Sequence, residues 1–492
     1  MYRNARFESR RLKLHGARDL DTIPQMRNLP SWERRTIETV AEVFPFRVNE
    51  YVLSELVDWD SWRNDPIFRL VFPQSEMLAD SDFRALYELK RRGAPRAQVD
   101  QAVQDIRMRL NPHPAGQVDL NVPRLDGRPL PGLQHKYRET VLFFPRRGQT
   151  CHTYCTYCFR WPQFVGDDKL KIASSGVDDL VAYLARHPEV SDVLITGGDP
   201  MIMSARLLRD IIEPLLVPEL RHLRNIRIGT KSLTWWPYRY AGDRDSDDIL
   251  RLFERVRKSG RRLAFMAHVS HPRELSTPVV EEAVRRIRET GAVIRCQAPL
   301  VRHVNASAET WAGLWTREVQ LGCVPYYMFI ERNTGPTHYF EVPLLEAAEI
   351  YRDAHSQVTG LARTARGPSM SANPGKVVVR GAAEMNGQDV FVLEFEQARN
   401  PDWVGRPFFA RLDPAATWLS DLRPAFADEF FFEPEMRRLQ ARHQAMDLDP
   451  ERRGFSPLDP DLDPDFNPDL DPDLDPDLDP DLDPDFEASA QA

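Results

Sequence analysis

No stretch of the 492-residue sequence approaches the roughly 20 apolar residues of a membrane-spanning helix, so a helical membrane protein is not expected. The opening segment MYRNARFESRRLKLHGARDL lacks the apolar core of a secretory signal, which makes the cytoplasm the expected location. Cysteine is scarce, with five residues in all, and a disulfide framework is not expected. Also missing is a Lys/Arg stripe interleaved with aromatics of the kind a nucleic-acid groove presents, so neither nucleic acid nor membrane is expected as a partner. What is present, 42% hydrophobic and 28% charged residues, is ordinary for a globular protein. The length allows two to three domains, or one large catalytic domain with extensions.

The formal net charge of −9 is unevenly placed: Asp447 to Ala492 holds 17 acidic and 2 basic side chains, leaving the rest at +6. This tail repeats DLDP. Proline at every fourth position forbids a helix or a ladder, and like charges repel, so residues 447–492 read as a disordered acidic extension that keeps the protein soluble or binds a partner. It lacks the Gly turn and ligand spacing of a designed calcium loop.

The rest divides by periodicity. Residues 1–110 read as a helical N-terminal region, with mixed three and four spacing of apolar residues over Thr36–Val57 and Phe83–Leu110. Residues 111–134 are rich in Pro and Gly and read as a connector. Over 135–390 apolar runs (VLFF, VLITGG, IRIGT, LAFMAHV, AVIRCQAPL, CVPYYMFI) alternate with helical stretches, the signature of βαβ units and a parallel sheet. About six units fit, too few for a closed eight-fold barrel, so the expected fold is α/β, a partial (β/α)6 barrel with its chemistry at the C-terminal strand ends. Residues 391–446 read as a C-terminal extension.

Three of the five cysteines, Cys151, Cys155 and Cys158, fall in CHTYCTYCFR as C-x₃-C-x₂-C just after the first β-run. Three thiolates hold three irons of a [4Fe–4S] cluster and leave the fourth open, whereas structural zinc asks for four ligands in paired knuckles. His152 is a conceivable fourth zinc ligand, but there is no second knuckle. Cys296 and Cys323 lie far off at strand positions and read as core thiols.

This spacing, the aromatic Tyr157 and the partial barrel resemble the radical S-adenosylmethionine superfamily, in which the open iron chelates S-adenosylmethionine and reductive cleavage gives a 5′-deoxyadenosyl radical. Thr196–Pro200 (TGGDP) resembles its glycine-rich motif, which implies S-adenosylmethionine contacts at Gly197, Gly198 and Asp199. A closer resemblance, over roughly residues 50–380, is to the lysine 2,3-aminomutase family. It is carried by NDPIFRLVFP, PGLQHKY, CFR, LITGGDP, HVSHP, QAPLVRHVN, PYYMF with HYF, and a Gly/Pro-rich loop ending in Gly375-Lys376. The family moves an amino group from C2 to C3 with pyridoxal phosphate beside the cluster, which implies an isomerase, an intramolecular aminotransferase.

The resemblance implies a set of roles. Lys376 holds pyridoxal phosphate through its amine. Lys136 stands where the family has an arginine near the cofactor phosphate, and His268 and Gln297 are cofactor-contacting positions. Arg160 takes the substrate α-carboxylate, which a planar fork suits. The lysine-specific enzymes hold the distal ammonium with two aspartates; here Arg332 and Arg366 fall at those places. Two cations in place of two anions repel a lysine side chain, so the expected substrate is a free amino acid with an anionic or accepting end, glutamate or aspartate rather than lysine. An electron donor such as flavodoxin or ferredoxin is implied, and a homo-oligomer is expected, although the C-terminal cysteines that some family members use for an interchain zinc are absent. Alternatives are a radical enzyme of another outcome (desaturation, epimerisation or a pyridoxal-free reaction) and a metal-containing scaffold that recruits partners through its tail.

Overall fold

The computed structural model describes residues 7–447 apart from 119, 167–170 and 175, so the Asp/Pro tail lies, but for Asp447, outside the described residues. Four helices shape the N-terminal region: α1 (Ser31–Val40), α2 (Pro66–Val71), α3 (Asp80–Arg91) and α4 (Arg96–Arg109). Thr36–Val57 is not one helix. α1 stops at Val40, Arg47–Asn49 pairs with Leu14–Gly16 as a two-stranded ribbon, and a π-helical turn spans Val52–Leu56. Pro45 explains the break, since it lacks a donor and bars its predecessor from helical geometry. Gly93, at φ +64°, and Pro95 likewise divide α3 from α4.

All six apolar runs become parallel strands: β2 (Thr140–Phe143), β3 (Asp192–Ile195), β4 (Asn225–Thr230), β5 (Arg262–His268), β6 (Val293–Leu300) and β7 (Val324–Ile330). β1 (Leu133–Tyr137) lies antiparallel outside β2. Helices α5 (Asp178–Arg186), α6 (Ala205–Ile212), α7 (Ser246–Lys258), α8 (Pro278–Glu289) and α9 (Ala308–Gln320) carry the chain between successive strands, and α10 (Leu344–Ser356) follows β7. In α7, Ile249, Leu250, Leu252, Phe253 and Val256 are buried while Arg251 and Lys258 face water. Each such buried side chain contributes about 1.5–3 kcal/mol. Along β4 burial alternates, with Ile226, Ile228 and Thr230 buried and Arg227 and Gly229 partly open.

The segment read as a Gly/Pro-rich loop before Lys376 is instead a hairpin. β8 (Arg366–Ser371) adds to β7 in parallel and β9 (Gly375–Met385) returns antiparallel, with Ser371 opposite Lys376. β10 (Gln388–Ala398) and β11 (Pro407–Arg411) complete an eleven-stranded sheet of the described residues. The boundary placed at 390 therefore falls inside β10, and residues 391–411 belong to the sheet rather than to a separate extension. A flat sheet would hold β1 and β8 roughly 34 Å apart at the usual strand spacing. Lys136 on β1 nonetheless donates to the Ala372 carbonyl just past β8, so the sheet curls into an open barrel. This is a partial (β/α)6 barrel with an antiparallel flap, β9–β11, folded toward its first strand.

Candidate functional site

The cysteine loop follows β2 and is clamped from three directions. Asp199 N–H donates to Thr150 O at 2.6 Å, Tyr154 N–H to Arg47 O and Thr156 N–H to Leu70 O, both at 2.9 Å. Asn49, wholly buried, spends its amide on the carbonyls of His152 (3.0 Å) and Trp235 (2.8 Å) and on Thr153 Oγ1 (3.1 Å). The ribbon Arg47–Asn49 and α2 thus hold the loop from the N-terminal region. Sequence reading missed them, since about a hundred residues separate each pair.

The thiols of Cys151, Cys155 and Cys158 are near enough to act on one another electrostatically. Burial raises all three, Cys155 to about 11 and Cys158 to about 12. Among the described residues no three His, Cys, Asp or Glu side chains gather closely enough for a single metal ion. His152 is buried, and burial with Arg239 and Arg47 nearby pushes its imidazole down to about 3.

The glycine motif serves the loop itself. A Cβ on Gly197 would collide with the Gln149 side chain, and one on Gly198 with the Thr150 backbone. Asp199 was expected to contact S-adenosylmethionine, but both its oxygens are engaged within the chain. Oδ1 accepts from Thr230 Oγ1 (2.6 Å) and Met201 N–H (3.0 Å), and Oδ2 from Lys231 and Ser232 N–H (2.9 Å each). Four donors fill a carboxylate. Asp199 therefore ties the motif to the end of β4 rather than receiving a ligand.

His268 ends β5 and joins Tyr157 Oη at 2.6 Å; Tyr157 also meets Ser270 Oγ at 2.8 Å. Burial, with Lys231 nearby, drives the His268 ring well below its ordinary range. Gln297 on β6 stands between His268 and Tyr327 in register, half-buried.

A basic lumen lies beside the cysteine loop. Arg160 stacks on Phe144 and Phe159 and donates to Gly197 O at 2.9 Å; Arg332 stacks on Phe159 and donates to Ser371 O at 2.9 Å. Lys376 Nζ meets Gln397 Oε1 at 3.0 Å and lies 4.1 Å from the Tyr327 ring centre. Burial pushes the Lys376 amine down to about 7, with Glu396 opposing and Arg366, Arg227 and Arg332 adding to the depression. Burial also lowers Lys136 well below its range, helped by Arg399, Arg332 and Lys376. The hydrogen-bond partners of Lys136, Arg160, Arg332 and Lys376 are all neutral groups. Glu331, next to Arg332, is a weak counter-ion because burial raises its carboxyl well above the usual range. Tyr327 Oη is buried in this lumen with no hydrogen-bond partner among the described residues.

Arg366 does not join Arg332. It opens β8, exposed, and stacks on Tyr326 and Tyr327, whereas Arg332 reaches the far end of that strand. At about 3.3 Å per residue the two ends are roughly 16 Å apart. The expected pair of guanidinium groups at one point is thus reduced to Arg332.

No family model matches the chain. A protein of Aquifex aeolicus named "Putative L-lysine 2,3-aminomutase" is 31% identical over 81% of this chain and 93% of its own length. The L-lysine 2,3-aminomutase of Bacillus subtilis is 25% identical, over 71% of this chain and 63% of its own. Among solved structures, a radical SAM methyltransferase from Sphaerobacter thermophilus is 14% identical with a TM-score of 0.34, covering 57% of this chain and 91% of its own, a likeness too slight to bear on fold or function. On the strength of the Aquifex relative, matched along nearly its whole length, the chain belongs to the L-lysine 2,3-aminomutase family.

Proposed function

We propose that this protein is a radical S-adenosylmethionine enzyme that uses pyridoxal phosphate to move the amino group of a free L-α-amino acid from C2 to C3. The observation that carries the reading is the meeting, in one lumen, of a buried lysine amine near neutrality with cations whose partners are all neutral, beside three clustered cysteines. The groups present fit both cofactors. Cys151, Cys155 and Cys158 would hold a [4Fe–4S] cluster, and the mutual effect of their thiols without convergence on one ion suits a cluster better than a lone metal. Lys376 would hold pyridoxal phosphate, with Lys136 near enough to serve its phosphate and the orphan Tyr327 hydroxyl available to a polar group of the ligand. Bound there, the cluster with S-adenosylmethionine supplies a radical, given one electron from a donor such as flavodoxin or ferredoxin, and pyridoxal phosphate a π-system for nitrogen migration.

The chain's own residues bind and orient. Depression of Lys376 leaves a large neutral fraction near pH 7, the form able to attack a carbonyl. Arg160, packed against the Phe144 and Phe159 rings with one N–H spent on Gly197 O, has further donors to offer a substrate α-carboxylate. Arg332 then meets the substrate's far end. A cation 4 Å from that guanidinium costs about 4 kcal/mol at an effective dielectric of 20, and an acidic side chain gains a charge-assisted hydrogen bond instead. We infer glutamate or a related acidic amino acid as substrate, and not lysine. The test is anaerobic incubation of the protein with S-adenosylmethionine, dithionite, pyridoxal phosphate and single amino acids. A β-amino acid and 5′-deoxyadenosine from glutamate or aspartate are expected; efficient turnover of lysine refutes the substrate reading.

A further inference from the structure

The three cysteines do not share one environment. Cys151 faces the Asp199 carboxylate, and Cys158 has Arg160 for a neighbour. Cys155 alone has a buried indole and a buried ammonium beside it. Trp235 is 1% exposed, its N–H lies next to the Cys155 sulfur, and among the described residues it makes no hydrogen bond of ordinary geometry. A buried donor left unmade costs about 1–3 kcal/mol, so an acceptor is called for. The indole is held in place: Trp235 O accepts from Asn49 at 2.8 Å, and Trp235 N–H of the backbone donates to Lys231 O at 2.9 Å.

Lys231 has its Nζ 4.3 Å from the centre of the Trp235 ring, where a cation strengthens the indole N–H as a donor. It also pairs with Glu274, wholly buried, at 2.5 Å. Glu274 is itself pinned by Ser270 and His271 N–H at 2.9 and 3.1 Å. Lys231 bridges Glu274 and the Trp235 ring, so the ion pair turns its positive end toward the indole that lies beside Cys155.

We propose that Trp235 and Lys231 set the reduction potential of the cluster held by the cysteine loop. One-electron reduction adds negative charge to the cluster and its thiolates. A donor N–H and a positive charge at the Cys155 edge stabilise that charge and raise the potential, the lever that hydrogen bonds to cluster sulfurs provide. Both residues act through Cys155 and are positioning residues. The inference rests on the cluster reading proposed above.

The experiment is a redox titration of the anaerobically purified full-length protein, without S-adenosylmethionine, followed by electron paramagnetic resonance of the reduced cluster. Iron and sulfide are counted in every sample. Trp235→Phe keeps the ring and removes the N–H; with iron content unchanged, the reduction equilibrium should shift three- to tenfold toward the oxidised form, tenfold being 59 mV for one electron. Glu274→Gln leaves Lys231 uncompensated and should shift it the opposite way. Should Trp235→Phe fail to load iron, Glu274→Gln decides alone. A loaded Trp235→Phe at the wild-type potential, or an unchanged Glu274→Gln in the absence of the first, overturns the proposal. A wild-type protein without four irons unseats the cluster reading instead.

Discussion

The two walls of the lumen are built on opposite plans. On the cysteine side the backbone is tied down by Asn49, Arg47, Leu70 and Asp199, and the hydrogen-bonding capacity of Asn49 and Asp199 is consumed within the chain. On the lysine side, Lys136, Arg332 and Lys376 have neutral hydrogen-bond partners, Arg160 reaches in from the cysteine loop on the same terms, and Tyr327 Oη has no partner among the described residues. A wall that must hold a geometry is saturated. A wall that must hold an anion carries uncompensated charge, at a cost in folding free energy that ligand binding returns.

The sharpest break comes from the saturated wall. Cys155→Ala, like Cys151→Ala or Cys158→Ala, removes a ligand thiolate and should abolish both iron content and 5′-deoxyadenosine formation; four irons with full cleavage in any of them would sink the assignment. On the other wall, Lys376→Ala should cut amino migration by about 10²-fold or more and lose the visible absorbance of lysine-bound cofactor, while iron analysis still finds an intact cluster. Migration at the wild-type rate would put the cofactor lysine elsewhere.

Smaller effects sharpen the contrast. Arg332→Asp removes one charge-assisted hydrogen bond, worth about 1.5–3 kcal/mol, and should raise the KM for the acidic substrate roughly ten- to a hundredfold while leaving affinity for S-adenosylmethionine nearly unchanged by calorimetry. Asn49→Ala strips donors from two buried carbonyls, at about 1–3 kcal/mol. It should show as a lower thermal midpoint and faster iron loss, with KM for the amino acid untouched; an altered KM would mean that the two walls are coupled. The gentlest probe is pH. With the Lys376 amine pushed down to about 7, covalent capture of pyridoxal phosphate should rise with pH and reach half its maximum near that value. Arg366→Leu removes a cation that depresses the amine and should move the midpoint up. Glu396→Gln removes a carboxylate that supports the ammonium and should move it down. Coincident curves for all three proteins would show that burial alone sets the value.

The same contrast explains what the sequence disclosed. The six β/α units and the cysteine spacing are local patterns, visible within ten to fifteen residues. The clamp is not: Asn49 meets Trp235 across 186 positions, and Lys136 meets Ala372 across 236. β8 was misread because GPSMS has the composition of a turn, and its strand geometry comes from pairing with β7 and β9. Arg366 was placed beside Arg332 by resemblance alone, and the length of β8 separates them. Lys231 could have been found, since it follows IRIGT at the C-terminal end of a parallel strand, where active-site groups collect. Gln397 and Glu396 could not, because nothing local distinguishes them from other exposed-strand polar residues.

The antiparallel flap has a consequence in time. Lys376 is carried by a hairpin that follows the last parallel strand, 218 positions after Cys158. At about 5–20 residues per second, a ribosome needs roughly 10–40 s to travel between them. The ribbon, α2 and the cysteine loop are all synthesised before the lysine exists, so the cysteine wall is complete in sequence before β8 and β9 are made. On the function proposed above, synthesis thereby sets an order: the cysteine loop would be complete for a cluster before Lys376 exists to hold pyridoxal phosphate.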